Sequence, residues 1–323
     1  RNVLALLNEV AGAIATEIEA TLTPEQAARL AQARPVNLEA YDALLRGIQL
    51  FNSFRMRSVR ESIGYFAQAI AIDEEFADAH AWLSGAYMVS AILGAPPQEV
   101  MPLAKASAQR ALELDDGLAI AYTSMGYVRL YFDRDWEAGG AAFRRALEID
   151  PNNAMARHGY ADYLLVENRL DDSVDQVLRG RQSNPLSPLS NAVVVGHLYI
   201  ARRYDETIAE GEKLLAVDPT YLAVKGFVRR SYWQLGEREK SLAMLRETPW
   251  ARQPAVSTAL DRGYAEGGPE GAMAAVAHLL EAQADTAFVD PLDIAVYHGR
   301  AGQQDAAMEW LERAEAELSP TLV

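Results

Sequence analysis

The sequence predicts an all-α chain, a right-handed superhelical solenoid of antiparallel helix pairs about eight repeats long. Three observations carry that expectation. One pattern recurs, an apolar helix end followed by an acidic or proline stop: Ala111-Leu112-Glu113-Leu114-Asp115-Asp116, Ala146-Leu147-Glu148-Ile149-Asp150-Pro151 and Leu214-Leu215-Ala216-Val217-Asp218-Pro219, with Asn184-Pro185 as a fourth. The stops keep step: Pro151, Pro185 and Pro219 lie 34 residues apart and Asp116 precedes Pro151 by 35. Proline cannot continue a helix, so each one ends a unit at the same point. Finally, half of the 323 residues are apolar, and the 14 prolines and 21 glycines fall mostly between apolar blocks, as punctuation between many short helices.

The elements follow in order. In residues 1–36, Val3, Leu7, Val10, Ile14 and Ile18 mark one helical face, and Thr23-Pro24-Glu25-Gln26 caps a second helix. That face is too apolar to stand alone and should pack on the first repeat, on a preceding domain or on a second copy of the chain, which makes residues 1–20 a candidate homodimer contact. The repeat array is expected over residues 37–316, with a tail at 317–323. Ala40 to Asp73 is an irregular first repeat with Gly47, Phe66 and Ala69. The next carries His80, Leu83, Ser84 and Tyr87, then Ala104, Ala108 and Ala111. Between them, Gly94-Ala95-Pro96-Pro97 is expected to form a loop that breaks the period by about eight residues. Further repeats show Tyr122, Met125, Gly126, Gly139, Phe143 and Ala146, then Arg157, Tyr160, Ala161, Leu164, Ser173, Val177 and Gly180. Val194, Leu198, Thr207 and Leu214 follow, then Val228, Tyr232, Ser241 and Leu245. Arg252 to Glu281 reads as a degenerate unit, and Tyr297, Ala306, Trp310 and Ala314 mark the last. No single pair of this length can bury its apolar face, so each repeat leans on its neighbours and the array curves around a concave surface.

These slots resemble the tetratricopeptide-repeat (TPR) family, in which a large residue, Leu-Gly and Tyr on the first helix face Ala, Phe and Ala on the second. A narrower resemblance rests on Val3-Leu4-Ala5-Leu6, Leu22-Thr23-Pro24-Glu25, Arg34-Pro35-Val36-Asn37-Leu38-Glu39-Ala40-Tyr41, Tyr131-Phe132-Asp133-Arg134-Asp135-Trp136, Asn184-Pro185-Leu186-Ser187-Pro188 and Ala201-Arg202-Arg203-Tyr204-Asp205-Glu206. These look like the junction and turns of bacterial multidomain regulators, where a winged-helix, Ser/Thr kinase or nucleotide cyclase effector precedes a TolB-like domain and TPRs. The resemblance implies that residues 1–36 are the remnant of a TolB-like domain and its linker, and that the chain, which opens on Arg1 inside a helical pattern, is a piece of a longer protein. Residues at the chaperone-type carboxylate-clamp positions, Ala81, Gly85, Ser124, Met155 and Gly159, cannot form such a clamp.

Chemistry is sparse along the chain. The absence of cysteine removes disulfides, thiolate metal sites and a thiol nucleophile. His80, His158, His197, His278 and His298 lie far apart in sequence and are read as packing or groove residues, so no metal or cofactor is expected. Tyr122-Thr123-Ser124-Met125-Gly126 lacks the first glycine of a nucleophile elbow and lies within a helix. Asp133-Arg134-Asp135-Trp136-Glu137 starts like a calcium loop but runs straight into a helix. Gly267-Gly268-Pro269-Glu270-Gly271 has neither the lysine nor the spacing of a phosphate loop and is read as a helix connection. No catalytic residue is expected. The net charge of −15 disfavours direct nucleic-acid binding, and no apolar run reaches a membrane span.

What remains is a groove lined by the first helix of each pair. The exposed-face positions are Tyr127, Tyr131, His158, Asp162, Tyr199, Arg230 and Trp233, aromatic anchors flanked by polar groups, as peptide grooves use. The expected function is a non-catalytic interaction module of a bacterial transcriptional regulator, binding a protein, a peptide or its own effector domain. The alternative is the regulatory tail of a Ser/Thr kinase or of an adenylate or guanylate cyclase. A cytoplasmic location is expected, or a periplasmic one if a membrane span precedes Arg1. A small-ligand site would centre on Arg229, Arg230 and Tyr232.

Overall fold

The computed structural model describes residues 37–53, 55–286 and 289–316. The N-terminal helical face, the Thr23 cap, the dimer contact at 1–20 and the tail lie outside the described residues. Among the described residues the fold is all-α, with fifteen helices and no strand. The chain divides into two compact units, Arg1–Arg169 and Leu170–Val323. The first contains α1 (Leu38–Phe51), α2 (Met56–Ile72), α3 (Ala77–Ile92), α4 (Pro97–Leu114), α5 (Ala119–Tyr127), a π-helical turn (Val128–Asp133), α6 (Trp136–Ile149) and α7 (Ala154–Val166). The second contains α8 (Leu170–Ser183), α9 (Pro188–Ile200), α10 (Tyr204–Val217), α11 (Leu222–Gln234), α12 (Arg238–Arg246), α13 (Pro254–Ala284), α14 (Pro291–Arg300) and α15 (Gln304–Ala316).

Two devices recur at the helix ends. Where a second helix ends, an aspartate turns the chain: the carboxylates of Asp73, Asp115, Asp150 and Asp218 accept from the backbone N–H two residues on, at 2.8 to 3.2 Å. This is the local competition with the helix that makes Asp a terminator. Where a first helix ends, one residue adopts the left-handed conformation, at Arg134, Asn168, Arg202 and Gly236, successively 34 residues apart. At the last three the N–H after it returns to a carbonyl five residues earlier, as in Arg169 to Leu164 at 2.8 Å and Arg203 to Leu198 at 2.9 Å, the Schellman closure.

Within each unit consecutive helices pack together, and first helices also touch the next first helix: α1 with α3, α3 with α5, α5 with α7, and α9 with α11. Among the described residues no comparable contact joins successive second helices within a unit. The first helices therefore form the closer-packed inner layer. Phe143 of α6, fully buried, is wedged between Gly126 of α5 and Gly159 of α7, where an added Cβ would fall 2.5 and 2.2 Å from its ring. Only glycine leaves room for that ring.

Two irregularities depart from the sequence expectation. The extra residues around Gly94 do not make a long loop; they lengthen the helices, α3 to 16 and α4 to 18 residues against 13 and 14 for α7 and α8. Helix supplies its own backbone partners, which a longer loop would have to find elsewhere. The single extra residue before Pro151 is absorbed in the π-helical turn, where the Asp135 N–H reaches back to Arg129 at 2.8 Å. The degenerate stretch is a helix pair too. Gly267 and Gly268 leave helical geometry inside α13, and Gly263 meets Gly271 so closely that a Cβ on the former would lie 2.3 Å from the latter's carbonyl oxygen. The chain thus doubles back at the Gly-Gly-Pro connection, and Val256 and Leu260 share a core with Met273, Val276 and Leu280.

Candidate partner-binding face

The inner layer of the first unit carries four of the expected groove residues, and they part company. Tyr127 is buried, stacked at 5.9 Å on Tyr131 and edge-on at 5.2 Å to Phe143. Its hydroxyl donates to the Met155 carbonyl at 3.3 Å. His158 is also buried, 3% exposed. These two are interior residues rather than groove lining; over Tyr127 the ring of Phe143 and the next first helix, through Met155, close that side of the layer. Tyr131, 39% exposed, and the half-buried Asp162 reach the surface. Enclosure of the Tyr131 hydroxyl, then the negative charge of the nearby Asp162 carboxylate, pushes the phenol well above its ordinary value.

The inner layer of the second unit is richer. Tyr199 of α9 and Phe227 of α11 lie 5.6 Å apart, and the Arg230 guanidinium covers both rings at 6.0 and 5.6 Å. Trp233 is half-buried, braced on the core around Leu242 and Leu260 and capped by Arg238 at 5.7 Å. Beside Arg230 the fold gathers Arg229, Arg300 and the buried Tyr297, with Arg300 stacked at 5.7 Å on that ring. Arg229 Nη1 is buried with no hydrogen-bond partner, and none of the three arginines forms an ion pair among the described residues. Burial first, then the like charge of Arg229, drives Arg300 down to about 10. Burial lowers Arg229 as well, with Arg230 adding to the effect. Asp293 is the carboxylate that shares this field.

Tyr232 does not join Arg229 and Arg230: its hydroxyl donates to Glu212 at 2.5 Å and Lys240 sits 5.0 Å over its ring. Arg300 and Tyr297 take its place. That exchange has no signal in the sequence, because Arg300 and Tyr297 sit on α14, remote in sequence from α11.

A second group was missed outright. The reading of the five histidines as scattered is corrected: His278 and His298 flank Glu281. His278 Nδ1 and Glu281 Oε2 are 2.9 Å apart, and His298 Nε2 and Glu281 Oε1 are 2.8 Å apart. Trp310 Nε1 donates to the same Oε1 at 2.9 Å. His298 Nδ1 meets Gln303 Oε1 at 2.7 Å. Elsewhere His197 packs against Ser173 at 2.7 Å, as a core histidine does. The available sequence signal was the His278–Glu281 spacing of one helical turn, but its partner lies on another helix.

Solved structures share this arrangement of helix pairs. Human IFIT1 in complex with m7Gppp-AAAA superposes with a TM-score of 0.59 at 13% identity, covering 97% of this chain and 77% of that one. Pseudomonas aeruginosa PilF gives 0.50 at 18% identity over 70% and 98%. A tetratricopeptide repeat protein from Parabacteroides merdae gives 0.48 at 11% identity over 84% and 100%. The fold is TPR-like. No family profile and no curated protein matches the sequence. The TPR-like array among the described residues has no helix long and apolar enough to cross a membrane.

Proposed function

We propose that this TPR-like chain is a non-catalytic interaction module that holds an acidic peptide segment of a partner protein against the first-helix layer of its second unit. One observation carries the reading: Arg229, Arg230 and Arg300 are drawn together beside Tyr199, Phe227 and Tyr297 without a carboxylate ion pair. Three partly desolvated guanidinium groups cost folding free energy. A partner carboxylate would offset that cost while the rings supply apolar contact, the pairing of Arg and aromatic residues that binding hot spots use. The net charge of −15 would repel a long polyanion, so the partner is a short acidic segment.

The resemblance to bacterial regulators supports a finer assignment, in which the module serves a winged-helix transcriptional regulator in the cytoplasm and its segment belongs to a signalling partner or to the effector domain. The same face would suit the tail of a kinase or cyclase.

The test is fluorescence anisotropy with acidic and neutral peptides of matched length. Acidic peptides should bind with an affinity that falls with salt. Arg230→Glu should weaken binding at least tenfold, and Arg300→Met should weaken it while raising Tm, since removal of a partly buried like charge stabilises the free chain by about 1–2 kcal/mol. Equal binding of neutral peptides, or an unchanged Kd in Arg230→Glu, would overturn the reading.

A further inference from the structure

We propose that His278, Glu281 and His298 form a binding site for one divalent transition-metal ion of the zinc type. The site is built from the second half of α13 and from α14, and it does not depend on the peptide-binding reading.

Local chemistry brings the donors together. His278 and Glu281 are one turn apart on one helix, hence neighbours on its surface. His298, only 1% exposed, faces them from α14. The imidazole and carboxylate donor atoms all lie within 4.8 Å of one another. A tetrahedral ion with bonds of about 2.0–2.1 Å holds its ligand atoms about 3.3–3.4 Å apart. The two histidine–carboxylate separations, 2.9 and 2.8 Å, need to open by only about half an ångström to reach that. The exposed ring of His278 is free to close the remaining gap.

The hydrogen bonds around the site offer His298 Nε2 as the donor atom in one tautomer. The Gln303 carbonyl oxygen accepts from His298 Nδ1, which in a neutral ring leaves a lone pair on Nε2. That lone pair points at Glu281 Oε1 2.8 Å away. With Nδ1 donating, these two lone pairs face each other and are satisfied by a cation between them, a metal ion or a proton; with the Gln303 amide turned over, a neutral Nε2–H donates to Glu281 instead. An outer carbonyl partner that fixes the tautomer and aims the other nitrogen inward is the usual support of a metal-binding histidine. Trp310 Nε1 steadies the same carboxylate. Two imidazoles and a carboxylate suit Zn²⁺ and its neighbours rather than Ca²⁺ or Mg²⁺. The site opens on a pocket of about 560 Å³ that Gln303 and Asp305 also line, leaving room for a water as fourth ligand.

The proposal is tested on the full, tag-free chain stripped with chelator. Titration with Zn²⁺ by calorimetry and with Co²⁺ by visible absorption should give one ion per chain, a tetrahedral-type Co²⁺ spectrum, and a Tm that rises with added Zn²⁺. His278→Ala alters an exposed side chain and should keep the fold while weakening binding by more than the roughly 10- to 100-fold that loss of an outer partner costs, as should Glu281→Gln. His298→Ala removes a core ring; its effect counts only where circular dichroism matches the parent. No uptake at ~100 μM Zn²⁺, well above the affinities such donor sets reach, would overturn the proposal, as would binding that His278→Ala leaves unchanged. A proton remaining on His298 Nε2 in the presence of Zn²⁺, seen by NMR, would equally overturn it.

Discussion

Arg202 holds a left-handed backbone that costs an L-residue with a Cβ about 1–2 kcal/mol. Its counterpart one repeat on is Gly236, which pays no such steric cost. The two sites share the same closing hydrogen bond, so Arg202→Gly is expected to stabilise the chain by about 1 kcal/mol, less the extra entropy glycine gains on unfolding. Urea denaturation of the two proteins measures it, and a destabilised variant would mean that the Arg202 side chain contributes more than its backbone costs. At this scale the groove was only half legible. Tyr127 and Tyr131 are a helical turn apart and chemically alike, yet one is core and one is surface, because the Phe143 ring closes over the first. That outcome is a property of three helices packed together and has no trace in the spacing of two tyrosines.

At the scale of elements, the stops were plain in the sequence because their chemistry is local: a proline lacks its N–H, and an aspartate bonds its own turn. Irregular elements were harder to read. The same surplus that the residue count showed became longer helices in one repeat and a π-helical turn in another, and residue counts do not choose between them. The Gly-Gly-Pro connection makes a sharp prediction. Gly268 sits at φ 62°, ψ −150°, a region closed to residues with a Cβ. Gly268→Ala should cost about 1–3 kcal/mol and, by shifting α13 against α14, should lower the affinity for Zn²⁺. Thermal unfolding and metal titration of that variant check both effects; a variant as stable as the parent would show that the doubling back of α13 tolerates another backbone path.

At the scale of the whole molecule, the helix contacts within each unit, among the described residues, join elements close in sequence, so cohesion is a sum of short-range terms and unfolding need not be all-or-none. The five tryptophans report on this by position: Trp82 and Trp136 belong to the first unit, Trp233, Trp250 and Trp310 to the second. Single-tryptophan variants retaining Trp82 or Trp250 are expected to give denaturation midpoints that differ between the two units, read by fluorescence. Coincident midpoints matching the circular-dichroism transition would instead show one cooperative body. The all-α class and the period were legible from the sequence alone at this scale, since every repeat restates them; the arginine and histidine groups were not, since each occurs once.

The evenly placed left-handed residues have a consequence for how such a chain changes length. Residues 203–236 begin just after one of these corners and end on the next, so a second copy spliced in after Gly236 would meet the same backbone direction at both seams. Growth or loss by a whole module leaves every joint intact, whereas a gain of a few residues must be hidden inside a helix, as the first unit has done.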